Sequence, residues 1–525
     1  MVDTAVDIDN EKLNDNGNNN GNGNNNGNGE GEGEGEGTKS KYCNFYNGNV
    51  DAIGLSWLAS GRGMLIMSNI FMATSLLFLA KDAAGCFEEP IADGQCNKPI
   101  YGMKAESFIT NIATIAAVLA AFFMPICGAL VDYTPHRKLV GIVTALLLVA
   151  IQVIQIGTVE QTWFAMGVLQ ALSAFIYQLQ LVTLIAYLPE IARQVGVLSM
   201  TKVSSNLYLV EYASSALFLV AMTGITIAFK TSAVVTGQIS RGITTVMSMI
   251  TFAVGWFIYL TPRPAVRPVP EGHWLLLEGF NQNWRTAKSV QKHYKHGLRY
   301  FLLANVFAEP SAQAITTVLI VYLSSSIELS ISQIGIFFIV TVIAVCIGTG
   351  LGRFITNKTT PLLSWKLSMI YLFITHMVGA LVLDGIPHDL KEMSYIWGIF
   401  VGLGLGWYHP TQTLFFSLVV PPGQEAEFSG LLVYCTQILA WLTPLVFSIL
   451  IEFDVPQKYG VIVTASGFLI AVFFLMLTCS WEDILKESNA DIDMTTTTVT
   501  AAQGGGEEEG TKNKNTYPPL DEERA

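Results

Sequence analysis

Two carboxylates lie inside segments that are otherwise apolar enough to cross a membrane. Glu211 follows Tyr208 at helical spacing, and Glu309 stands four residues after Asn305 and four before Gln313. An acidic residue at the centre of a membrane helix costs about 2.5–3.5 kcal/mol on insertion scales, so it usually has a function or a partner. Each carboxylate could bind an ammonium group or carry a proton, because burial can bring a carboxyl group into the neutral pH range. The alternative for both is a structural pair or a hydrogen-bonded acid near the membrane surface.

Other polar side chains recur on the apolar segments at spacings that place them on one face of a helix. They complete the predicted substrate cavity: Tyr177, Gln180, Tyr187, His409, Gln412, Tyr434, Gln437 and Trp441. His409 precedes Pro410, which interrupts the backbone hydrogen bonds of a helix and could allow it to flex. A packing role is the alternative for this histidine and for the aromatic residues. We expect no metal site, since no group of His, Cys or Asp has ligand spacing.

A short charged turn separates two long apolar runs and reads Gly128-Ala-Leu-Val-Asp132-Tyr-Thr-Pro-His-Arg137-Lys138. Gly128 would let two helices approach closely, and the basic pair is typical of the cytosolic side of a membrane. An ordinary basic turn is the alternative, but it does not explain Asp132. The predicted cytosolic gate comprises Gly128, Asp132, Arg137 and Lys138 together with Arg193, Arg353, Glu425 and Glu427.

The composition is that of a membrane protein. Of the 525 residues, 51% are hydrophobic and 13% are charged, whereas soluble domains carry about 25% charged residues. Twelve apolar runs are long enough to cross a bilayer: 60–80, 105–131, 139–157, 162–187, 204–229, 240–261, 298–323, 331–352, 363–384, 394–420, 428–452 and 459–480. We therefore predict an all-α polytopic membrane protein with twelve transmembrane helices. The net charge of −12 lies largely in the tails and argues against a nucleic-acid partner.

The chain divides into five regions. Residues 1–52 are rich in Asn, Gly and Glu, and residues 481–525 are acidic; neither tail can bury much apolar surface, so both are expected to be disordered. Residues 53–262 and 298–480 each hold six predicted spans. Residues 263–297 form a cytosolic linker, whose amphipathic basic segment from Trp284 to His296 would lie on an anionic membrane surface.

The distribution of basic residues predicts that both termini are cytosolic. The loops on that side hold twice as many basic residues as the opposite loops, to which we assign Lys81, Lys98, Lys104, Lys230, Arg241, Lys391 and Lys458. Cys86 and Cys96 share the first opposite loop and could form a disulfide there, because that face is oxidising. In the C-terminal tail, Tyr517-Pro-Pro-Leu520 has the form of a signal read by an endosomal sorting adaptor; a chance match is the alternative.

The two halves repeat one pattern. Gln180 precedes Pro189 by nine residues at the end of span four, and Gln412 precedes Pro421 by nine at the end of span ten. Two six-helix halves in the same order are the parallel repeat of the major facilitator fold. The alternative is a twelve-helix transporter of another fold, with broken helices and inverted repeats.

Several motifs resemble those of known transporters. The turn 128–138 resembles the signature loop between the second and third helices of the major facilitator superfamily. Tyr187-Leu-Pro189-Glu190-Ile-Ala192 and Pro421-Pro-Gly423-Gln-Glu425-Ala-Glu427-Phe428-Ser-Gly430-Leu are similar to loops of the vacuolar amino-acid effluxers linked to autophagy and of their bacterial relatives. The resemblance covers about residues 55–480. It implies that Asp132 pairs across the two halves when the protein faces outward or into the lumen.

The sequence departs from that branch at two places near the cavity. In span one, Ser60 stands three residues after Trp57, at the position where the resembled family usually has an aspartate, and Arg62 is nearby. In span seven, Glu309-Pro310 stands where the family shows Asp-Gly. The substrate of the family is therefore not transferred to this chain on the resemblance alone.

The leading hypothesis is a secondary active transporter that moves a small polar solute by alternating access. The resemblance implies amino-acid efflux from a vacuole or lysosome-like compartment, with no cofactor and with H+ as a candidate coupling ion. One alternative is the same fold with another solute, such as a sugar, nucleoside, peptide or organic anion; another is a non-transporting membrane receptor or scaffold. An enzyme is not expected, because the sequence has no Walker loop, metal cluster or nucleophile elbow.

Overall fold

The computed structural model describes residues 46, 48–86, 98–195, 197–265, 274–420 and 425–487. These residues are mainly α-helical, and within them the only β-type pairing is an isolated bridge between Ile100 and Met103. Most of both predicted tails, including the sorting motif at 517–520, lies outside the described residues. Residues 50–52 and 481–487, which the sequence assigned to the tails, are helical.

The helices follow one another in chain order. The N-terminal half contains α1 (Val50–Ala83), α2 (Ala105–Tyr133), α3 (Arg137–Gln155), α4 (Trp163–Ile185), α5 (Leu188–Val195), α6 (Val197–Phe229) and α7 (Ala233–Ala253), which continues as a π-helical segment (Val254–Tyr259). The linker contains α8 (Leu275–His293). The C-terminal half contains α9 (Leu298–Ser325), α10 (Ile331–Lys358), α11 (Pro361–Leu383), a 3₁₀ helix (His388–Met393), α12 (Ser394–Val419), α13 (Glu425–Gln437), α14 (Leu442–Glu452) and α15 (Gln457–Met476).

Eleven helical segments of the described chain are long and apolar enough to cross a membrane. The remaining predicted span, 394–420, is the 26-residue helix α12, which is less apolar because it carries His409, Gln412 and several glycines. α12 packs between α10 and α11, so its polar side chains are covered by protein rather than by lipid. All twelve predicted spans therefore correspond to helical segments.

The eleventh predicted span, 428–452, is broken into two helices. α13 ends at Gln437, α14 begins at Leu442, and residues 438–441 form turns between them. The indole N–H of Trp441 donates to the carbonyl of Ile438 at 3.0 Å. Such a break is tolerated at membrane depth because the freed backbone groups find partners inside the protein.

Two helices begin earlier than the predicted spans, and each of them therefore has an arginine further inside the helix than the sequence indicated. α1 begins at Val50, where the side chain of Asn49 caps it by accepting from the N–H of Ala52. Arg62 therefore lies about 18 Å along the axis of α1, and not near the end of a span that starts at residue 60. α7 begins at Ala233, so Arg241, which we assigned to a loop, lies inside the helix.

The halves are joined more extensively at one end of the bundle than at the other. We call the end where α1 begins and α15 ends the tail side, and the opposite end the distal side. One hydrophobic core includes distal residues of both halves, such as Leu76 and Leu319, and continues in the C-terminal half to Phe301 near the tail side. On the tail side, the N-terminal half has its own core around Leu55 and Trp256, and a small cluster that includes Met124 and Val433 touches both halves.

Candidate functional site

A buried arginine lies in the middle of α1. Arg62 is 3% exposed. Its Nη1 donates to the carbonyl of Tyr177 at 2.9 Å and, at a longer 3.4 Å, to Oε1 of Gln180. The guanidinium lies over the ring of Tyr177, 3.7 Å from its centroid. Within the described part of the chain no carboxylate forms an ion pair with Arg62. A buried charge with only neutral partners is costly, which makes Arg62 suited to bind an anionic group of a substrate.

α1 and α6 are in direct contact beside this arginine. A Cβ at Gly63 would lie 2.4 Å from the carbonyl oxygen of Glu211, so only glycine fits there. One turn further along α6, the hydroxyl of Ser214 donates to the carbonyl of Ser60 at 3.1 Å. The contact holds Glu211 on the part of α6 that lies against α1 next to Arg62.

Glu309 of α9 is held by neutral donors from the C-terminal half. The hydroxyl of Tyr408 donates to its Oε2 at 3.3 Å, and Nε2 of Gln412 donates to the same oxygen at 3.1 Å. Nε2 of Gln313 donates to Oε1 at 3.4 Å, and Gln412 also donates to Oδ1 of Asn305. No lysine or arginine of the described residues pairs with Glu309. The carboxylate can therefore bind a cationic group without breaking an ion pair.

The two carboxylates and the arginine belong to one electrostatic cluster. Arg62 is the charge that acts on Glu211. Tyr208, one turn before Glu211, lies within range of the charges of Glu211, Glu309 and Arg62. We call Arg62, Glu211 and Glu309 the central charged cluster. It has one positive and two negative side chains, and both halves of the protein contribute to it.

Tyr187 lies away from this cluster, which corrects its assignment to the cavity. It follows the end of α4, and its hydroxyl donates to the carbonyl of Thr261 at 3.2 Å. Its ring packs edge-on against Trp256, and burial raises the pKa of Tyr187 to about 12. The predicted stripe extended the helical spacing beyond Ile185, where α4 ends, and so it reached the tail-side core.

Four more predicted cavity residues do not contact the central charged cluster directly. The ring of His409 packs on Tyr408, with 5.0 Å between centroids, and it is Tyr408 that contacts Glu309. Tyr434 and Trp441 line an apolar opening of about 400 Å³ between α2 and the break after α13. Gln437 is buried beside that break. Helical spacing did not show which of the neighbouring residues Tyr408 and His409 of α12 contacts Glu309. The prediction also assumed an unbroken helix through residues 438–441, where the structure has a break.

The predicted gate residues of the two halves meet at a small cavity on the tail side. The cavity has a volume of about 60 Å³, and its lining includes Gly128, Asp132 and Arg137 of the N-terminal half and Glu427 of the C-terminal half. A Cβ at Gly128 would meet no atom within 4 Å, so the predicted close helix contact at this glycine is wrong. The close contact is made by Gly279 of α8, whose Cβ would lie 1.9 Å from the backbone of α2.

The basic pair of the turn binds within the N-terminal half. Nη1 of Arg137 pairs with Glu190 at 2.9 Å, and Nε of Arg263 pairs with the other oxygen of Glu190 at 3.0 Å. Lys138 donates to the carbonyl of Leu260 at 2.7 Å. These contacts tie α3 to the region after α4 and to the segment after α7. They stabilise one half as a unit and do not cross to the other.

The structure describes the other predicted gate residues and the predicted cysteine pair only in part. Arg353 is an exposed residue of α10. Arg193 and Glu425 lie in α5 and α13, and their side chains fall outside the described part. Cys86 is disulfide-bonded, whereas its expected partner Cys96 falls outside the described residues. The described residues contain no group of His, Cys, Asp and Glu that could hold a metal ion.

The distal side is closed by polar contacts between the halves that the sequence analysis did not foresee. The backbone N–H of Lys104 donates to Oε1 of Glu452 at 2.8 Å, and its ammonium group pairs with Asp454. Lys81 donates to the hydroxyl of Ser325 at 3.0 Å. Both lysines come from the N-terminal half and their partners from the C-terminal half. These contacts form a charged link between the halves on the distal side of the central charged cluster.

The chain is similar to known proteins over its whole helical region. The model of one family, described as vacuole effluxer Atg22 like, matches residues 55–487, whereas no curated protein matches the chain. Among solved structures it resembles a mutant of the nucleoside transporter NupG, with 13% identity and a TM-score of 0.54, covering 81% of this chain and 99% of that one. It also resembles the human organic anion transporter MFSD10, with 13% identity and a TM-score of 0.54, covering 81% of this chain and 98% of that one. A D-xylose-proton symporter matches with 10% identity and a TM-score of 0.55, covering 81% of this chain and 98% of that one. At these identities the likeness shows the fold, which is that of major facilitator superfamily transporters.

Proposed function

The chain belongs to the vacuole effluxer Atg22-like family, and from this we propose that it moves amino acids out of a vacuole or lysosome-like compartment. Family and fold make it a membrane transporter and not an enzyme. The solute, the direction of transport and the compartment are our proposal. They rest on the family and on the chemistry of the central charged cluster.

The observation that carries the proposal is that the central charged cluster holds opposite charges, and that no ion pair forms among its members in the described residues. Arg62 has neutral hydrogen-bond partners, and so has Glu309. A zwitterionic amino acid carries a carboxylate and an ammonium group on one carbon. Arg62 would bind the carboxylate through its planar donors, and Glu211 or Glu309 would bind the ammonium group. The solute would supply the counter-charges that the protein lacks.

The second carboxylate accounts for ion coupling. With Arg62 and a bound zwitterion, one acidic side chain of the cluster has no cationic partner. We assign the coupling proton to Glu309, because its three donors are neutral and its carboxylate would be less costly in the bilayer when protonated. Release of that proton on one side of the membrane and uptake on the other would couple solute movement to a pH gradient.

The unequal ends of the bundle support a mechanism of alternating access. The distal contacts of Lys104 and Lys81 join the halves, whereas the tail-side cavity of about 60 Å³ lies between the halves and α8. Opening toward the lumen would require the distal contacts to break and the tail-side residues to close. Asp132 and Glu427 would then act as tail-side gate residues, on the face that we predict to be cytosolic.

Uptake into proteoliposomes tests the proposal. Vesicles with purified protein would be given labelled leucine or lysine, with and without a pH gradient, and in parallel a labelled nucleoside, xylose and an organic anion. We expect transport of at least one amino acid class that depends on protein and is stimulated by the gradient. Transport of only a nucleoside, sugar or organic anion would replace the amino-acid proposal. Absence of any flux, with binding retained, would favour the receptor or scaffold alternative.

A further inference from the structure

A second arginine is buried inside the N-terminal half, apart from the central charged cluster. Arg241 of α7 has no exposed surface. Its Nη2 donates to Oδ1 of Asn69 at 2.8 Å and to Oε1 of Gln170 at 2.6 Å. Gln155 donates to the same Oε1 of Gln170 at 3.0 Å. Arg241 is therefore held by neutral amides from α1 and α4, with α3 adjacent.

The charge of Arg241 has no counter-ion in this environment. Helices α3, α4 and α7 contain no acidic residue, and the acidic residues of α1 are Asp51 and Asp82, at its two ends. No carboxylate of the described chain forms an ion pair with Arg241. An isolated buried charge is among the least favourable arrangements in a protein interior. A counter-ion from outside the polypeptide would neutralise it.

The surrounding helices supply further polar atoms without partners. Nε and Nη1 of Arg241 have none, and neither does either polar atom of the Gln152 side chain. The hydroxyls of Ser173 and Ser248 are also buried without a partner. Gln152 lies one turn from Gln155 on α3, and Ser173 and Ser248 lie one and two turns from Gln170 and Arg241; on every helix the step leads toward the tail side. Gln152 and Ser173 therefore lie about one turn from the amides of the Arg241 network, whereas Ser248 lies about 10 Å along α7 from Arg241.

We propose that the region around Arg241, Gln152 and Ser173 is a binding site for one small monovalent anion of the halide class. Arg241 supplies the positive charge and two unpartnered donors, and the amide of Gln152 and the hydroxyl of Ser173 supply neutral donors whose hydrogen bonds an anion can accept. A water molecule could fill part of the region, but it would leave the charge unbalanced. A carboxylate-bearing solute is too large for a position between packed helices, so the site is distinct from the one proposed for amino acids.

The test uses the full-length protein in detergent, exchanged into gluconate salts. Binding of radiolabelled chloride is measured at constant ionic strength, together with the midpoint of thermal unfolding as chloride replaces gluconate. We expect about one chloride per chain, competition by bromide and nitrate, and a rise in the midpoint of several degrees. Arg241→Gln should lose both effects, whereas Lys486→Gln, which removes an exposed cation, should keep them.

Several outcomes would overturn the proposal. Wild-type protein that binds no chloride, and is not stabilised by it, would mean that only water occupies the region. Chloride binding that persists in Arg241→Gln would place the anion elsewhere. Should that variant fail to fold, Arg241→Lys decides the question: it keeps the charge but moves the donors, so we expect at least tenfold weaker chloride binding, and unchanged affinity would contradict the assignment. None of these measurements depends on amino-acid transport.

Discussion

Replacement of Glu309 by glutamine separates proton coupling from solute binding. The change removes the titratable group but keeps the size of the side chain and one acceptor oxygen. That oxygen can still accept from Tyr408 and Gln412, which now donate to Oε2 at 3.3 and 3.1 Å. The new amide NH₂ group would face Nε2 of Gln313. Because both groups are donors, the hydrogen bond that Gln313 now donates to Oε1 would be lost. We expect a cost of about 1 kcal/mol in stability, so the variant should fold.

The expected effect on transport is much larger than the effect on stability. A pH difference of one unit is worth about 1.4 kcal/mol per proton. A carrier that moves one proton with each solute would therefore accumulate that solute about tenfold. Glu309→Gln should bring the accumulation ratio to about one, because the variant can equilibrate its solute but cannot use the gradient. Exchange of labelled for unlabelled solute should continue.

The assay is accumulation of labelled amino acid in proteoliposomes with an imposed pH gradient of one unit, beside counterflow without a gradient. Glu392→Gln is the matched control, since it makes the same chemical change at an exposed carboxylate of the distal 3₁₀ helix and should leave accumulation at about tenfold. If Glu309→Gln accumulates solute as the wild type does, Glu309 does not carry the proton.

Three other substitutions test separate parts of the account. Arg62→Lys keeps the charge but loses the planar donors above Tyr177, so solute affinity should fall by about tenfold or more; unchanged competition binding would remove Arg62 from the site. Glu190→Gln should lower the unfolding free energy by about 1–3 kcal/mol, because it leaves the buried Arg137 without its ion pair; an unchanged thermal midpoint would contradict this. Lys104→Ala removes the ammonium contacts to Asp454 and to the carbonyl of Ile451 but keeps the backbone hydrogen bond to Glu452, so the distal link should weaken by about 1 kcal/mol. With Asn111→Cys of α2 present in both proteins as the labelling site, the protein with Lys104→Ala should be labelled about fivefold faster. Equal labelling rates would show that this contact does not hold the distal side closed.

The architecture could be predicted because its signals are local. A run of about 20 apolar residues indicates a membrane helix without reference to the rest of the chain, and all twelve predicted spans correspond to helical segments. The repeated Gln-to-Pro spacing in spans four and ten indicated two like-ordered halves, and the family and the fold confirm a major facilitator. The break after α13 gave no such signal, since residues 438–441 are as apolar as their neighbours.

The arginines were misplaced because hydropathy treats a charge as the end of a span. The predicted span began at residue 60 and left out the first ten residues of α1, of which only Asp51 is charged, so Arg62 stood near the end of that span. The same reasoning put Arg241 in a loop. In the structure each guanidinium is accommodated by partners from α4, namely Tyr177 for Arg62 and Gln170 for Arg241. Such partners are more than 100 residues away from Arg62 and about 70 from Arg241, so no local window shows them.

The polar stripe of α4 illustrates a partial success. The spacing of Tyr177 and Gln180 indicated one polar face, and Gln170 belongs to the same helix. That face contacts α1 inside the N-terminal half, at Asn69 and Arg62, and not an open cavity. Sequence periodicity identifies a buried polar face, but a neighbouring helix and a substrate cavity require the same periodicity. Only the packing of α1 against α4 distinguishes them.

The central claim is that the opposite charges of Arg62, Glu211 and Glu309 recognise a zwitterion. The most direct test is competition against a bound labelled amino acid by three compounds of the same side chain: the amino acid, its decarboxylated amine and its deaminated acid. We predict that the intact amino acid competes at least tenfold better than either analogue, and that Arg62→Lys reduces this preference over the amine. Equal competition by the amine or the acid would contradict recognition of both charges.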